Sequence, residues 1–244
     1  MARYAAGVDG VVFESQGERL LGAFYRGGGL GPRPTAVLLH GLPGVEKHLD
    51  VAYRLRDCGW NCLAFHPRGS WGSGGSYTLE GQVDDTRAAL AWARAQPAVA
   101  AERLALVGGS KGGYTVLRSA AADLQLAAVV ALCPVVVPHD FAFSPELAAE
   151  FAGMLHGVSG AELLAQWSGL QPLSRHLAGL RARPLLLVTG DRDELFPPAH
   201  YTAFAAALPR LDWRRHPEGD HAFSLCRGWL VDQVTDWLAA RLGA

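Results

Sequence analysis

Residues 106–114, LVGGSKGGY, set four glycines around a serine and a lysine at the end of an apolar run. Two chemistries use such a stretch. A phosphate cradle of the form GxxxxGK[ST] needs a longer loop whose amides converge ahead of the lysine, whereas here Ser110 precedes Lys111 and the loop is too short. The other reading is a serine held out on a sharp turn between a strand and a helix. It requires G-x-S-x-G, and Gly108-Gly109-Ser110-Lys111-Gly112 supplies that pattern. At such a turn the serine takes strained backbone angles, and flanking side chains would collide with the adjoining strand and helix, so glycines occupy those positions. The hydroxyl then projects from the strand's carboxyl end, over a helix N-terminus that favours developing negative charge.

Outward from this turn the chain alternates strands and helices. Upstream, GVVFES and RLLGAFY, between residues 10 and 25, read as a hairpin closed by QGE. TAVLLH (35–40) is continuously apolar, as a strand covered on both faces must be. In KHLDVAYRLRDCG, Leu49, Ala52 and Leu55 recur at helical spacing until Gly59. WNCLAFH is a strand, PRGSWGSGGSY a loop, and Val83, Thr86, Leu90 and Ala93 mark a helix that ends before Pro97. RLALVG then leads into the serine turn, and SKGGYTVLRSAA is helical despite its glycines. Downstream, LAAVVALC and PLLLVTG are strands, PPAHYTAFAAAL a helix, and LDWRRHP an edge-like strand. The last helix aligns Leu230, Val234, Trp237 and Leu238 on its buried side. This predicts the α/β class, with a mostly parallel sheet of about eight strands and helices on both faces. A length of 244 residues with half of them apolar suits one domain, 1–244. Residues 138–183 interrupt the alternation with about two helices, signalled by Ser144-Pro145 and by the capping box Ser159-x-x-Glu162, and are expected to form a small helical lid.

A serine hydroxyl is a weak nucleophile and needs a base, usually histidine, which an acid must orient. For a serine on this kind of turn, acid and histidine follow in that order, each after a later strand. GDRDELFPP offers Asp191, Asp193 and Glu194; Asp193, three positions past the turn glycine Gly190, is best placed to reach inward. HPEGDHAF offers His221 ahead of the final helix, whereas His216 lies within a strand. Two amides must meet the charge on the carbonyl oxygen. One is that of Lys111; the other is expected from Leu42 in HGLPG, a loop ordered by a hydrogen bond from His40. The Lys111 side chain is expected to pair with a carboxylate. In the lid, Leu147, Phe151, Met154, Leu155, Leu163 and Trp167 recur at helical spacing and are candidates to line an apolar pocket, with Phe151, Met154 and Trp167 foremost.

Taken together, HGLPG, FHPRGSWGSGGSY, GGSKGG, GDRDELFPP and GDHAF resemble the α/β-hydrolase superfamily over nearly the whole chain. GxSxGG and the short lid are similar to its dienelactone-hydrolase and prolyl-oligopeptidase-like branches, and SKGG is also similar to acyl-CoA thioesterases and acyltransferases. The resemblance implies the α/β-hydrolase fold, a wall of the active site built by HPRGSWGSGG, and a Ser-His-Asp hydrolase acting on an ester or thioester without a metal or other cofactor. Serine at 110 argues against the branches that attack alkyl carbon through an aspartate. Two other readings stay open: a peptidase or amidase of the prolyl-oligopeptidase type, and a non-catalytic hydrolase-like binding protein.

Charge adds bounds. With 22 basic and 23 acidic side chains the formal net charge is -1, so no field favours nucleic acid or an anionic membrane, and a small-molecule substrate is expected. Cys58, Cys62, Cys133 and Cys226 show no CxxC or zinc spacing and read as free thiols. The opening MARYAAGVDG lacks the features of a signal peptide, which makes the cytoplasm the expected compartment. A monomer or homodimer is expected.

Overall fold

In the strand Arg33–Leu39, Ala36 and Leu38 lie in one core cluster while Val37 and Leu39 lie in another. That alternation explains the unbroken apolar run: successive side chains point to opposite faces, and both faces are covered. The computed structural model describes residues 2–243, so the two end residues of the expected 1–244 domain lie outside the described residues. The eight strands of the central sheet are, in chain order, β1 (Gly7–Ser15), β2 (Glu18–Arg26), β3 (Arg33–Leu39), β4 (Asn61–His66), β5 (Val99–Gly109), β6 (Ala128–Leu132), β7 (Leu185–Gly190) and β8 (Leu211–His216). Their spatial order is β8-β7-β6-β5-β3-β4-β2-β1. The hairpin β1–β2 and the β2–β4 pair are antiparallel, and the other pairings are parallel.

Helices α1 (Leu49–Asp57) and α8 (Arg227–Leu242) bury their apolar residues in the cluster with Leu38. Helices α2 (Gly81–Arg94) and α3 (Ser110–Ala122) bury theirs in the cluster with Leu39. Residues 138–183 contribute α4 (Pro145–Ala152), α5 (Gly160–Gly169) and the short α6 (Leu177–Leu180) to that second side. The expected caps are in place: the Ser144 hydroxyl accepts from the Leu147 amide, and Ser159 and Glu162 form a reciprocal capping box. Helix α7 (Ala199–Ala206) precedes the edge strand β8.

The loop after β4 grips this helical segment. The His156 amide donates to the Gly69 carbonyl at 2.8 Å, and the Tyr77 amide donates to the His156 carbonyl at 2.9 Å. The loop itself is pinned by Arg68, whose guanidinium forks onto the fully buried Asp85 carboxylate of α2. In the parallel part of the sheet, strand carboxyl ends gather at one edge. The turns that follow β3, β5, β7 and β8 therefore meet there, which is where a ligand site is expected in such a sheet.

Candidate active site

Ser110 is the first residue of α3, directly after the last residue of β5, and its φ is 53°. A non-glycine residue in this left-handed region stores strain, and the flanking glycines make it attainable. A Cβ on Gly112 would stand 2.4 Å from the Leu39 and His40 carbonyl oxygens, so only glycine lets α3 lie so close to the end of β3. Gly41 in turn lies against the nucleophile candidate: a Cβ there would be 3.0 Å from the Ser110 Cβ. The HGLPG loop is thereby brought beside Ser110. His40 Nδ1 donates to the Gly41 carbonyl at 2.8 Å, the ordering bond expected of it. Burial pushes the His40 pKa down to about 3, so the ring is neutral.

Asp193 follows β7 and is 2% exposed. One carboxylate oxygen accepts from the Leu195 and Phe196 amides, each at 2.9 Å, and the other accepts from His221 Nδ1 at 2.8 Å. Burial alone would raise its pKa, but the bond to His221, that residue's charge and the Phe196 amide hold it below the ordinary value. The carboxylate therefore stays ionised and fixes the tautomer, leaving His221 Nε2 with a free lone pair. Asp191 instead pairs with Arg215 at 2.7 Å, away from the histidine. Two successive turns, Asp220–Phe223 and Phe223–Cys226, lead from His221 to the start of α8 at Arg227.

Ser110, His221, Leu42 and Lys111 line one cavity of about 210 Å³. Its remaining walls are apolar and mostly aromatic: Phe141, Phe143, Leu147, Phe151, Trp167, Leu195 and Phe196. Phe151 and Trp167, two of the sequence candidates, are among these walls. Met154 is not: it is 41% exposed and lies outside the cavity walls, because α4 ends at Ala152 and the chain turns outward there. Leu163 packs into the core under α5 instead, and Leu155 packs against that core. No hydrogen bond joins the Ser110 hydroxyl to the imidazole among the described residues; in resting sites of this kind that contact is often long.

The Lys111 side chain departs from expectation. It is buried and reaches no carboxylate among the described residues; Nζ donates to the Leu79 carbonyl, Gln82 Oε1 and Thr115 Oγ1 at 2.8 to 3.0 Å. Three acceptors match three ammonium protons, although burial pulls its pKa down to about 7. This anchoring holds the start of α3, and with it the Lys111 amide, one of the helix's unpaired N-terminal donors.

Four groups near the site carry no motif. Phe141 and Phe143 belong to an irregular stretch where no helical spacing exists to find them. Cys133, in the left-handed region at φ 40° after β6, places its thiol within 4.8 Å of the Asp193 and His221 ligand atoms. Burial raises that thiol's pKa well above its ordinary value, which makes it a poor metal ligand. His48, at φ 54°, is 7% exposed and touches Gly109. No motif marks it, because its contact is with Gly109, far along the chain.

Residues 49–244 match the prolyl oligopeptidase family. The quorum-quenching protein AidA of Acinetobacter baumannii (strain MDR-ZJ06) is 27% identical over 205 residues, covering 82% of this chain and 64% of that protein. The chain therefore spans a little under two thirds of that relative's length. Among solved structures, DcsB in complex with its substrate analogue superposes with a TM-score of 0.84 at 19% identity, covering 98% of this chain and 100% of that one. Est1E from Butyrivibrio proteoclasticus with ferulic acid bound gives a TM-score of 0.77 at 19% identity, covering 96% and 100%. With more than half of its length matched, the chain belongs to the prolyl oligopeptidase family and has the α/β-hydrolase fold.

Proposed function

We propose that the protein is a serine hydrolase that cleaves carboxylic esters or thioesters of small to medium substrates through an acyl-enzyme on Ser110. The observation that carries this reading is one cavity wall shared by a strained serine and by a histidine whose Nδ1 is held by a buried carboxylate. In the proposed reaction His221 Nε2 takes the Ser110 proton as Oγ attacks the carbonyl carbon. The Leu42 and Lys111 amides receive the charge on the oxygen, and Asp193 stabilises the imidazolium. Collapse expels the alcohol or thiol, and water activated by the same histidine frees the acid. Neither step calls for a cofactor.

The aromatic cavity is proposed to hold the acyl half, with residues 138–183 as its lid and Phe151 and Trp167 in its wall. Its volume suits an arylalkanoyl or medium-chain acyl group. The ferulic acid bound to Est1E, a protein of the same fold, is consistent with an aromatic acid in such a place. Membership of the prolyl oligopeptidase family supports a second reading, cleavage of a peptide or amide by the same residues.

The test is a panel of p-nitrophenyl esters of increasing acyl length, acyl-CoA thioesters and aminoacyl p-nitroanilides, run on wild type and Ser110→Ala. The expected result is turnover of phenylacetyl and medium-chain esters that falls at least about 10⁴-fold in the variant. Turnover that survives the substitution would refute the reading, and anilides cleaved faster than esters would favour the peptidase.

A further inference from the structure

Ser110 lines two cavities of unlike chemistry. Beside the aromatic one is a second, of about 190 Å³, which shares Leu42, Ser110 and His221 with it and has Gly41, Glu46, His48 and Gly109 in its walls. His48 is the buried polar side chain of this cavity, and its tautomer can be read from its neighbours. Nδ1 lies 3.3 and 3.4 Å from the two terminal nitrogens of Arg227. A guanidinium only donates, so Nδ1 accepts and the ring proton sits on Nε2. Arg227 is itself locked by a two-pronged bond to Asp50 and by a bond to the Ala222 carbonyl at 2.9 Å, so the imidazole has little freedom to turn. Burial and the Arg227 charge press the His48 pKa down to about 4, which keeps the ring a neutral donor.

That donor faces the nucleophile's turn. A Cβ built on Gly109 would fall 2.2 Å from His48 Nε2, so the nitrogen lies directly over the residue preceding Ser110. At the mouth of the same cavity is the Glu46 carboxylate. One of its oxygens accepts from the His48 backbone amide at 2.5 Å and lies 3.6 Å from the Arg227 guanidinium and 3.7 Å from His48 Nδ1, so the other oxygen is the one left for a ligand; the side chain remains 46% exposed. The second cavity therefore offers a fixed N–H donor and a carboxylate acceptor, beside an alcohol nucleophile, whereas the first offers aromatic carbon.

We propose that this second cavity receives the alcohol half of the ester, and that it selects alcohols bearing a hydroxyl vicinal to the ester oxygen. That hydroxyl accepts from His48 Nε2–H and donates to Glu46. The inference rests on the Ser110 acyl-enzyme reading. In the step concerned, the acyl C–O bond breaks, its electron pair stays on the leaving oxygen, and His221 delivers to that oxygen the proton taken from Ser110. The products are the acyl-enzyme and a free diol or polyol.

Two phenylacetyl esters of nearly equal size test this, the 2-hydroxyethyl and the n-propyl ester, with phenylacetate release measured by chromatography. Wild type is expected to show kcat/KM about tenfold or more in favour of the hydroxyethyl ester. His48→Asn, which tolerates positive φ but shortens the donor, should bring the ratio to within about twofold. Glu46→Ala, at a half-exposed position that does not threaten folding, should lower the ratio severalfold. Taking a ratio removes any common change in the acylation chemistry. A wild-type ratio near one, or a ratio untouched by both variants, overturns the proposal while leaving the acyl-enzyme reading standing. No release from these or any p-nitrophenyl ester would remove that reading, and this one with it.

Discussion

At the scale of single residues, the site depends on which atom of His221 carries the proton. Asp193 accepts the Nδ1 proton at 2.8 Å, and two backbone amides hold its other oxygen. Asparagine at 193 can keep those amides but must present an NH₂ to Nδ1, which drives the ring proton onto Nε2 and removes the base. Asp193→Asn is therefore expected to lower kcat by about 10³ to 10⁴ with KM little changed, measured on a p-nitrophenyl ester. A drop below tenfold would mean that another group orients the imidazole. That Ser110, Asp193 and His221 lie at turns after strands is legible in the sequence, because a marked turn follows each strand. His48, Cys133 and the buried role of Lys111 are not. The first two owe their places to left-handed turns at non-glycine residues, and Lys111 finds two of its three acceptors on α2 and the segment before it, 29 and 32 residues away.

At the scale of elements, helices α4 and α5 and the stretch before them close one side of the cavity, with Phe143 in tilted contact with Phe151 at 5.8 Å and with Trp167 at 5.1 Å. Phe151 is only partly buried, so Phe151→Ala opens space without unseating the core. The expected outcome is a shift of the kcat/KM optimum towards longer acyl chains, by about two to four carbons, read across p-nitrophenyl esters from acetyl to decanoyl. An unchanged optimum would place the acyl group elsewhere. The two helices are legible from their caps, Ser144-Pro145 and Ser159/Glu162, which satisfy amides that each helix leaves unpaired. Which lid residues face the cavity was less legible. Helical spacing extends past Ala152 in the sequence, but α4 stops there, so Met154 turns to solvent.

At the scale of the whole molecule, three neutral histidines sit near the sheet's active edge. Burial pushes His40 down to about 3, and His48 and His66 to about 4, with the Arg227 and Lys47 charges adding to it. In the unfolded chain each titrates near about 6.5, so as pH falls the unfolded state binds protons first and the fold loses stability. Asp193, depressed in the fold, adds a loss of the same sign at lower pH, as its own carboxylate protonates. The urea midpoint is therefore expected to fall steadily from about pH 6.5 towards pH 4, and a midpoint constant over that range would show these rings to be charged in the fold. The sheet order was legible as a class because strands apolar on both faces alternate with amphipathic helices. The pairing of β2 with β4, which joins the antiparallel β1–β2 hairpin to the parallel strands, leaves no mark in the pattern. The central claim, that the Ser110 hydroxyl is the nucleophile, is tested most directly by treating the intact protein with a fluorophosphonate and locating the adduct by peptide mass mapping. A single phosphonyl group on Ser110, absent from His221→Ala, is the predicted result; an adduct on another residue, or none on active protein, would contradict it.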